Sequence, residues 1–284
     1  MKILHINYNS FINTLSGRLQ KNKRLEKIIA QFHQDYNLIP IIGVEIEFYL
    51  SHNIDIAKFE ILSRKYLARF KIAKIKKEKG NNQFEIDLPP SVNLIQYIKN
   101  ILEVKTILKK MAQQLNGYID FSPKPFLDDY GNSMHFHINF NSEFNDYFLA
   151  AQGLCHYMLD TLLVFMPTTL DYSRINKKFM APTHISYGGN NRSVAVRTPN
   201  AFPKRLEHRL SSPETDPYIA IFTILKSILL ALKSPSSLQT IEKIYGNAFD
   251  PQYNLTPLPT SSQESFMLFK PDFFFNNLYF VHKT

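Results

Sequence analysis

Four short stretches of this chain alternate an apolar residue with a charged or metal-capable one. They are Val44-Glu45-Ile46-Glu47-Phe48, Phe84-Glu85-Ile86-Asp87-Leu88, Met134-His135-Phe136-His137-Ile138 and Arg205-Leu206-Glu207-His208-Arg209. A period of two is the strand pattern, so each stretch sends its ionisable groups to one face and its apolar groups to the other. If the four strands share a sheet, one face gathers carboxylates, imidazoles and guanidiniums. Aligned carboxylates such as Glu45 and Glu47 repel one another once desolvated, and a divalent cation relieves that repulsion. Glu78 and Glu85 flank a Gly80-Asn81-Asn82 turn, where a hairpin brings them close. The carboxylate-heavy set favours Mg²⁺ or Mn²⁺ over zinc, with Mn²⁺ the more tolerant of the His135 imidazole.

Arg192, Arg197, Arg205 and Arg209 follow within a short span, and planar guanidinium forks suit phosphates and carboxylates. Acids for a metal beside arginines for oxyanions point to phosphoryl transfer from a nucleoside triphosphate. No Walker loop or kinase signature is present, so the nucleotide fold would be a different one. Taken singly, each motif is more often a half-exposed strand with its polar side in water. Arg205-x-Glu207-x-Arg209 is equally a structural ion-pair ladder.

The elements that must position these residues are legible in outline. Apolar spacing predicts helices over 23–36, 55–70, 94–115, 144–165 and 217–232, the last opened by Pro217. Strands are expected over 41–50, a lysine-rich 71–79, 83–88, 134–138, 193–197 and 204–210, with Pro89-Pro90 ending the third. Residues 167–189 lack periodicity and read as an ordered functional loop. Strands and helices lack a regular β-α-β rhythm, so an α+β domain with a mainly antiparallel sheet is expected. Neither a repeat nor a linker marks two domains.

Composition narrows the partners. The chain has 284 residues, a formal charge of +9, 44% hydrophobic content and one cysteine, Cys155. A lone cysteine forms no internal disulfide, which suits a reducing compartment. No signal-peptide core or membrane-length apolar run is seen, and a soluble cytoplasmic chain is expected. The net charge invites a nucleic-acid reading, but no zinc spacing, recognition helix or aromatic RNA-binding signature accompanies it. Neither nucleic acid nor membrane is expected as a partner.

In this order and spacing the motifs resemble the catalytic domain of bacterial-type glutamine synthetase. The stretches that carry the resemblance are Gly43-Val44-Glu45-Ile46-Glu47-Phe48, Glu78-x-Gly80-x-x-Gln83-Phe84-Glu85 and Ser122-Pro123-Lys124-Pro125. They continue with Gly131-Asn132-Ser133-Met134-His135-Phe136-His137, Asn191-Arg192-Ser193 through Arg197-Thr198-Pro199, Arg205-x-Glu207-x-Arg209 and Pro217-Tyr218. The resemblance implies a curved, mainly antiparallel sheet (a half-barrel) wrapped by helices, over 41–284 with a shortened C-terminal tail. Residues 1–40 would be a helical extension. It implies two Mg²⁺ or Mn²⁺ sites, one held by Glu47, Glu78 and Glu85 and the other by Glu45, His135 and Glu207. It gives His137, Arg205 and Arg192 to ATP, and gives Arg192 and Arg197 to the transferring phosphoryl group. Arg174, Arg209 and Gly131 would bind glutamate or a similar acid, which is activated as a γ-glutamyl phosphate and then attacked by ammonia or another amine.

The departures from the family pattern are specific. The N-terminal β-grasp domain has no evident counterpart, so a homo-oligomer is possible but the usual family ring is not expected. The flap glutamate is replaced by Met180, whose thioether accepts no proton from ammonium. Leu170-Asp171 stands in place of Asn-Ser, and Tyr130-Gly131-Asn132-Ser133 departs from the family at both ends. A catalytically impaired nucleotide- and metal-binding member, acting as a regulator or partner, is the alternative implied.

Overall fold

A computed structural model describes residues 21–141 and 144–275. Among them nine strands form one open sheet. At its centre, β1 (Pro40–Leu50) pairs antiparallel with β3 (Gln83–Ser91), β4 (Ile119–Asp120) and β5 (Met134–Phe140). Outside β3 lies β2 (Ile75–Lys77). Outside β5 the order runs β8 (Leu206–His208), β7 (Val196–Arg197), β6 (Tyr187–Gly188) and β9 (Lys243–Ile244). Only the two pairings of β6 are parallel, so the sheet is mainly antiparallel, as the missing β-α-β rhythm predicts.

The alternation sorts the two faces. Val44, Ile46, Phe48, Ile86, Phe136 and Ile138 are buried on the apolar side. Phe48 packs there against Phe59, Phe84 and Phe121, with centroids 6.5, 6.3 and 5.7 Å away. Each such buried side chain contributes roughly 1.5–3 kcal/mol of transfer free energy. Six helices contribute buried side chains to the same core: α1 (Lys21–Tyr36), α2 (Ile56–Tyr66), α3 (Leu94–Gln114), α4 (Tyr147–His156), α5 (Met158–Phe165) and α6 (Pro217–Lys233). The short helices α7 (Ser262–Leu268) and α8 (Asp272–Phe275) follow. Leu25, Ile28 and Phe32 of α1 belong to the same core, so this helix is packed onto the domain. Helix α6 is buried nearly all round, with Asp216 capping it by accepting from the Tyr218 amide. The expectation for residues 1–20 lies outside the described residues.

Several boundaries differ from expectation for local reasons. Strand β3 continues through Pro89-Pro90 to Ser91, because the register slips opposite Gly43 and this bulge needs no proline amide. The lysine-rich strand shrinks to β2, since Lys71 adopts a left-handed conformation after a 3-10 turn at Ala68–Phe70. The helix expected over 144–165 is two helices bent by 79° at Tyr157. Gly153 sits where a Cβ would lie 2.6 Å from the Ser227 carbonyl of α6, so only glycine permits this close crossing. The aperiodic 167–189 segment is ordered by two 3-10 turns, Thr169–Arg174 and Lys177–Phe179, and by β6. Among the described residues no helix is long and apolar enough by itself to cross a membrane.

Candidate active site and metal centre

The strand register builds the site. Residues directly opposite on neighbouring strands share a face. Glu47 faces Glu85 and Glu45 faces Asp87 across β1 and β3, while Glu45 faces His135 across β1 and β5. His137 then faces Glu207, and Glu207 faces Arg197. At the other edge Lys76 faces Glu85. One continuous surface therefore runs from a lysine through five carboxylates and two imidazoles to a guanidinium.

Its most compact cluster is Glu45, Glu85 and His135, whose ligand-capable atoms lie within 4.8 Å of one another. This triplet draws one carboxylate from the first expected metal set and two residues from the second. Burial pushes the Glu85 carboxyl up to about 9, helped by repulsion from Glu45, Glu47, Asp87 and Glu78. Lys76 answers part of that repulsion, at 3.2 Å from Glu85 and in contact with Asp87. Burial also raises Glu47, whose carboxylate accepts from the Ser133 amide at 2.7 Å. Burial acts to raise Glu45 too, but the neighbouring His135 and His137 outweigh it and hold the group ionised. Crowded, partly protonated carboxylates beside an imidazole are a donor set that fits a hard divalent cation, and the residues present pass that test.

Glu207 is placed differently. Its two oxygens accept from Arg197 Nη1 at 2.6 Å and Arg209 Nε at 3.2 Å, and His135 Nδ1 lies 3.6 Å away. Burial would raise its carboxyl, and His135 with the two arginines overrides this and lowers it. Arg205 is not part of that ladder. Its Nε donates to His137 Nδ1 at 3.2 Å, which leaves Nε2 of His137 as the protonated nitrogen, 2.9 Å from Glu45 but poorly aligned for a hydrogen bond. The Arg205 Nη1 reaches the Ala201 and Pro203 carbonyls.

Beside the cluster a cleft of about 80 Å³ is lined by Glu47, Glu78, His135, Arg174, Arg192 and Arg209. Gly131 lines it as well, where a Cβ would come within 2.8 Å of Arg174 Cγ and the Pro123 carbonyl. The Arg174 guanidinium is buried and donates to Leu210 and Ser211 carbonyls and to Ser133 Oγ at 3.1–3.2 Å. Asp171, fully buried, accepts from the Thr168 amide and hydroxyl in the capping box of its own turn and lies 3.5 Å from Arg174. The Asp171 departure therefore anchors an arginine. Arg192 contributes a guanidinium with no hydrogen-bond partner among the described residues; its carbonyl accepts from Arg209. Met180 lines the same cleft in a left-handed conformation, φ 56°.

Thus Glu45, Glu85 and His135 meet at one point, Glu47, Glu78, Arg174, Arg192, Arg209 and Gly131 line the adjoining cleft, and Arg205 with His137 stands beyond Glu45. Sequence reasoning gave no role to Lys76, Asp87, Gln83 or Asn132. Gln83 donates to the Gly131 carbonyl and accepts from the Gly80 amide, tying the hairpin turn to the cleft loop. Asn132 donates to the Asp120 and Ser122 carbonyls beneath it. Asp87 was legible as the second acid of its strand, whereas Lys76 needed the β2–β3 register.

Known proteins share this architecture. A solved GmaS–ADP complex superposes with a TM-score of 0.70 over 86% of this chain and 66% of its own, at 22% identity. GmaS without ligand gives 0.73 over 88% and 67%, also at 22%. Glutamine synthetase of Pyrococcus woesei is 32% identical over 169 residues, 55% of this chain and 38% of the relative. The gamma-glutamylputrescine synthetase PuuA of Escherichia coli K12 is 29% identical over 188 residues, 61% of this chain and 39% of its own. The chain thus spans about two fifths of the length of these two curated relatives. A family model for the glutamine synthetase catalytic domain matches residues 54–283, so Glu45 and Glu47 join the set through the register of β1 while Glu78, Glu85, His135 and the arginines fall within the match. On that match and this fold, the chain belongs to the glutamine synthetase catalytic-domain family.

Proposed function

We propose that the chain is an ATP-dependent carboxylate–amine ligase, which activates the γ-carboxyl of glutamate or a similar acid as an acyl phosphate and passes it to ammonia or another amine. The observation that carries this reading is the single face on which the Glu45, Glu85 and His135 cluster adjoins a cleft with Arg192 and Arg209. Glu45, Glu85 and His135 would hold one divalent cation, and Glu47 and Glu78 extend the donor set into the cleft. Bound there, Mg²⁺ or Mn²⁺ supplies charge neutralisation for polyphosphate oxygens.

The chain's own groups do the rest. Arg205 and His137 receive nucleotide phosphates at one end. Arg192 and Arg197 meet the negative charge on the phosphoryl group in flight, where preorganised guanidiniums are most effective. Glu207 fixes the Arg197 and Arg209 forks, so neither must reorganise during transfer. Arg174 and Arg209 set a positive potential for the acid's carboxylates next to Gly131. Because Arg174 Nη1 and Nη2 already donate to protein acceptors, its contribution there is field and shape.

Phosphate release from ATP is the test. It should require a divalent cation, the acid and an amine together. Nucleotide binding without turnover across a broad amine panel would instead favour the reading as a regulator or subunit partner, which draws on the apolar Met180 wall.

A further inference from the structure

Part of the cleft lining has a composition of its own. It is made by Lys79, Tyr130, Phe179 and Met180, followed by Ala181 and Pro182. Tyr130 and Phe179 meet edge to face at 5.2 Å, forming one apolar surface. Lysine ammoniums surround that surface: Lys124 lies 3.9 Å from the Phe179 centroid, Lys178 5.2 Å from it, and Lys79 6.0 Å from that of Tyr130. Lys124 is buried and donates to the Asp129 carbonyl. The acidic neighbours are Asp128 and Asp129, and the Asp129 carboxylate is occupied by the Asn81 and Tyr130 amides. Lys79 is exposed at the cleft and has no carboxylate partner among the described residues.

Such a wall discriminates among amines by charge. The carboxylates lining the cleft are Glu47 and Glu78, and both belong to the proposed cation site. The Tyr130 and Phe179 faces are already met by the Lys79, Lys124 and Lys178 ammoniums and Met180 carries no charge, so an ammonium ion or a protonated diamine meets a surface ringed by positive charge. Like charges there are unfavourable, whereas an anionic substituent gains a partner in Lys79. The lysines also favour the free-base form of any amine bound beside them. An α-amino group, with an ordinary pKa of about 8, reaches that form more readily than a lysine-like amine at about 10.4.

We propose that Lys79, Tyr130, Phe179 and Met180 form the acceptor subsite, and that the acceptor is an amino acid or an equivalent anionic primary amine on a short apolar stem. This rests on the ligase reading above and names the substrate class that reading leaves open. The amine lone pair attacks the γ-carbonyl carbon of the acyl phosphate, and a C–N bond forms as the C–O bond to phosphorus breaks. Phosphate leaves with that electron pair and carries away the proton lost by nitrogen, so no protein base is required at Met180.

The experiment compares glycine and leucine with glycinamide and leucinamide as acceptors for the full chain with ATP, glutamate and Mg²⁺, product being identified by mass spectrometry. Hydroxylamine serves as a neutral, weakly basic control for the ligase reading itself. The amino acids should exceed their amides at least tenfold in kcat/KM and should also exceed ammonium and putrescine. Lys79→Glu should erase or invert the preference, and Lys79→Arg should keep it, with thermal melting confirming that both variants fold. Hydroxamate formation combined with preference for amides, ammonium or putrescine, or a preference unchanged in Lys79→Glu, would overturn the subsite and leave the ligase standing. Absence of both hydroxamate and ADP with every acceptor would overturn the ligase reading and the subsite with it.

Discussion

Cation binding to this chain should release about one proton at pH 7.5, and Glu85 should be its source. In the cation-free protein, burial and four neighbouring carboxylates push Glu85 up to about 9. At pH 7.5 such a group is almost wholly protonated, and a ligand to Mg²⁺ or Mn²⁺ must be ionised. Isothermal titration of Mn²⁺ into the chain, in buffers of contrasting ionisation enthalpy, reads the number directly as the slope of heat against buffer enthalpy. Glu45 provides the contrast, because His135 and His137 already hold it ionised. Glu45→Gln should weaken binding yet leave the proton count near one, whereas Glu85→Gln should weaken binding and abolish the buffer dependence. Buffer-independent heats in the wild type, or an unaltered slope in Glu85→Gln, would refute the assignment of Glu85 to the cation.

Three further outcomes follow from the same geometry. Glu85 binds a proton in the folded chain up to about pH 9 but in the unfolded chain only to about 4.3, so its stabilising contribution is present at low pH and fades as pH rises between the two. Cation-free Glu85→Gln should therefore melt several degrees higher than wild type at pH 8, with little difference at pH 4, as followed by circular dichroism. His208 is buried against Phe165 and held down to about 3, so the unfolded chain takes up a proton below about pH 6.5 that the folded chain refuses. Stability falls as pH drops through this window, by about 2 kcal/mol at pH 5, and His208→Gln should remove that slope in urea titrations. Glu207→Ala leaves the Arg197 and Arg209 guanidiniums without their shared partner, costs on the order of 3–5 kcal/mol, and should abolish turnover. A variant with wild-type activity would show that neither arginine needs fixing.

The four alternating stretches made the charged face legible, because side-chain direction in a strand follows from period two alone. Register was not legible: only pairing shows that Glu45 stands between Asp87 and His135, or that Lys76 counters Glu85. Arg205-x-Glu207-x-Arg209 reads as one ladder, yet Arg205 turns to His137 while Arg197, from another strand, takes its place. Pro89-Pro90 reads as a stop, but a bulge opposite Gly43 carries the strand past it. The helical period over 144–165 hid the bend at Tyr157, which is set by packing against α6. Asp171 read as a loss and proved to be a cap and an arginine partner, a tertiary role no local pattern announces.

If this face forms an acyl phosphate, positional isotope exchange detects it without knowledge of the acceptor. ATP carrying oxygen-18 in its β–γ bridge is incubated with the chain, glutamate and Mg²⁺ in the absence of any amine. Reversible phosphoryl transfer should move the label from the bridge into the nonbridging β-oxygens, only when glutamate is present and not in Glu85→Ala. Retention of the label in the bridge, in a protein that demonstrably binds both cation and nucleotide, would rule out acyl-phosphate formation at this face.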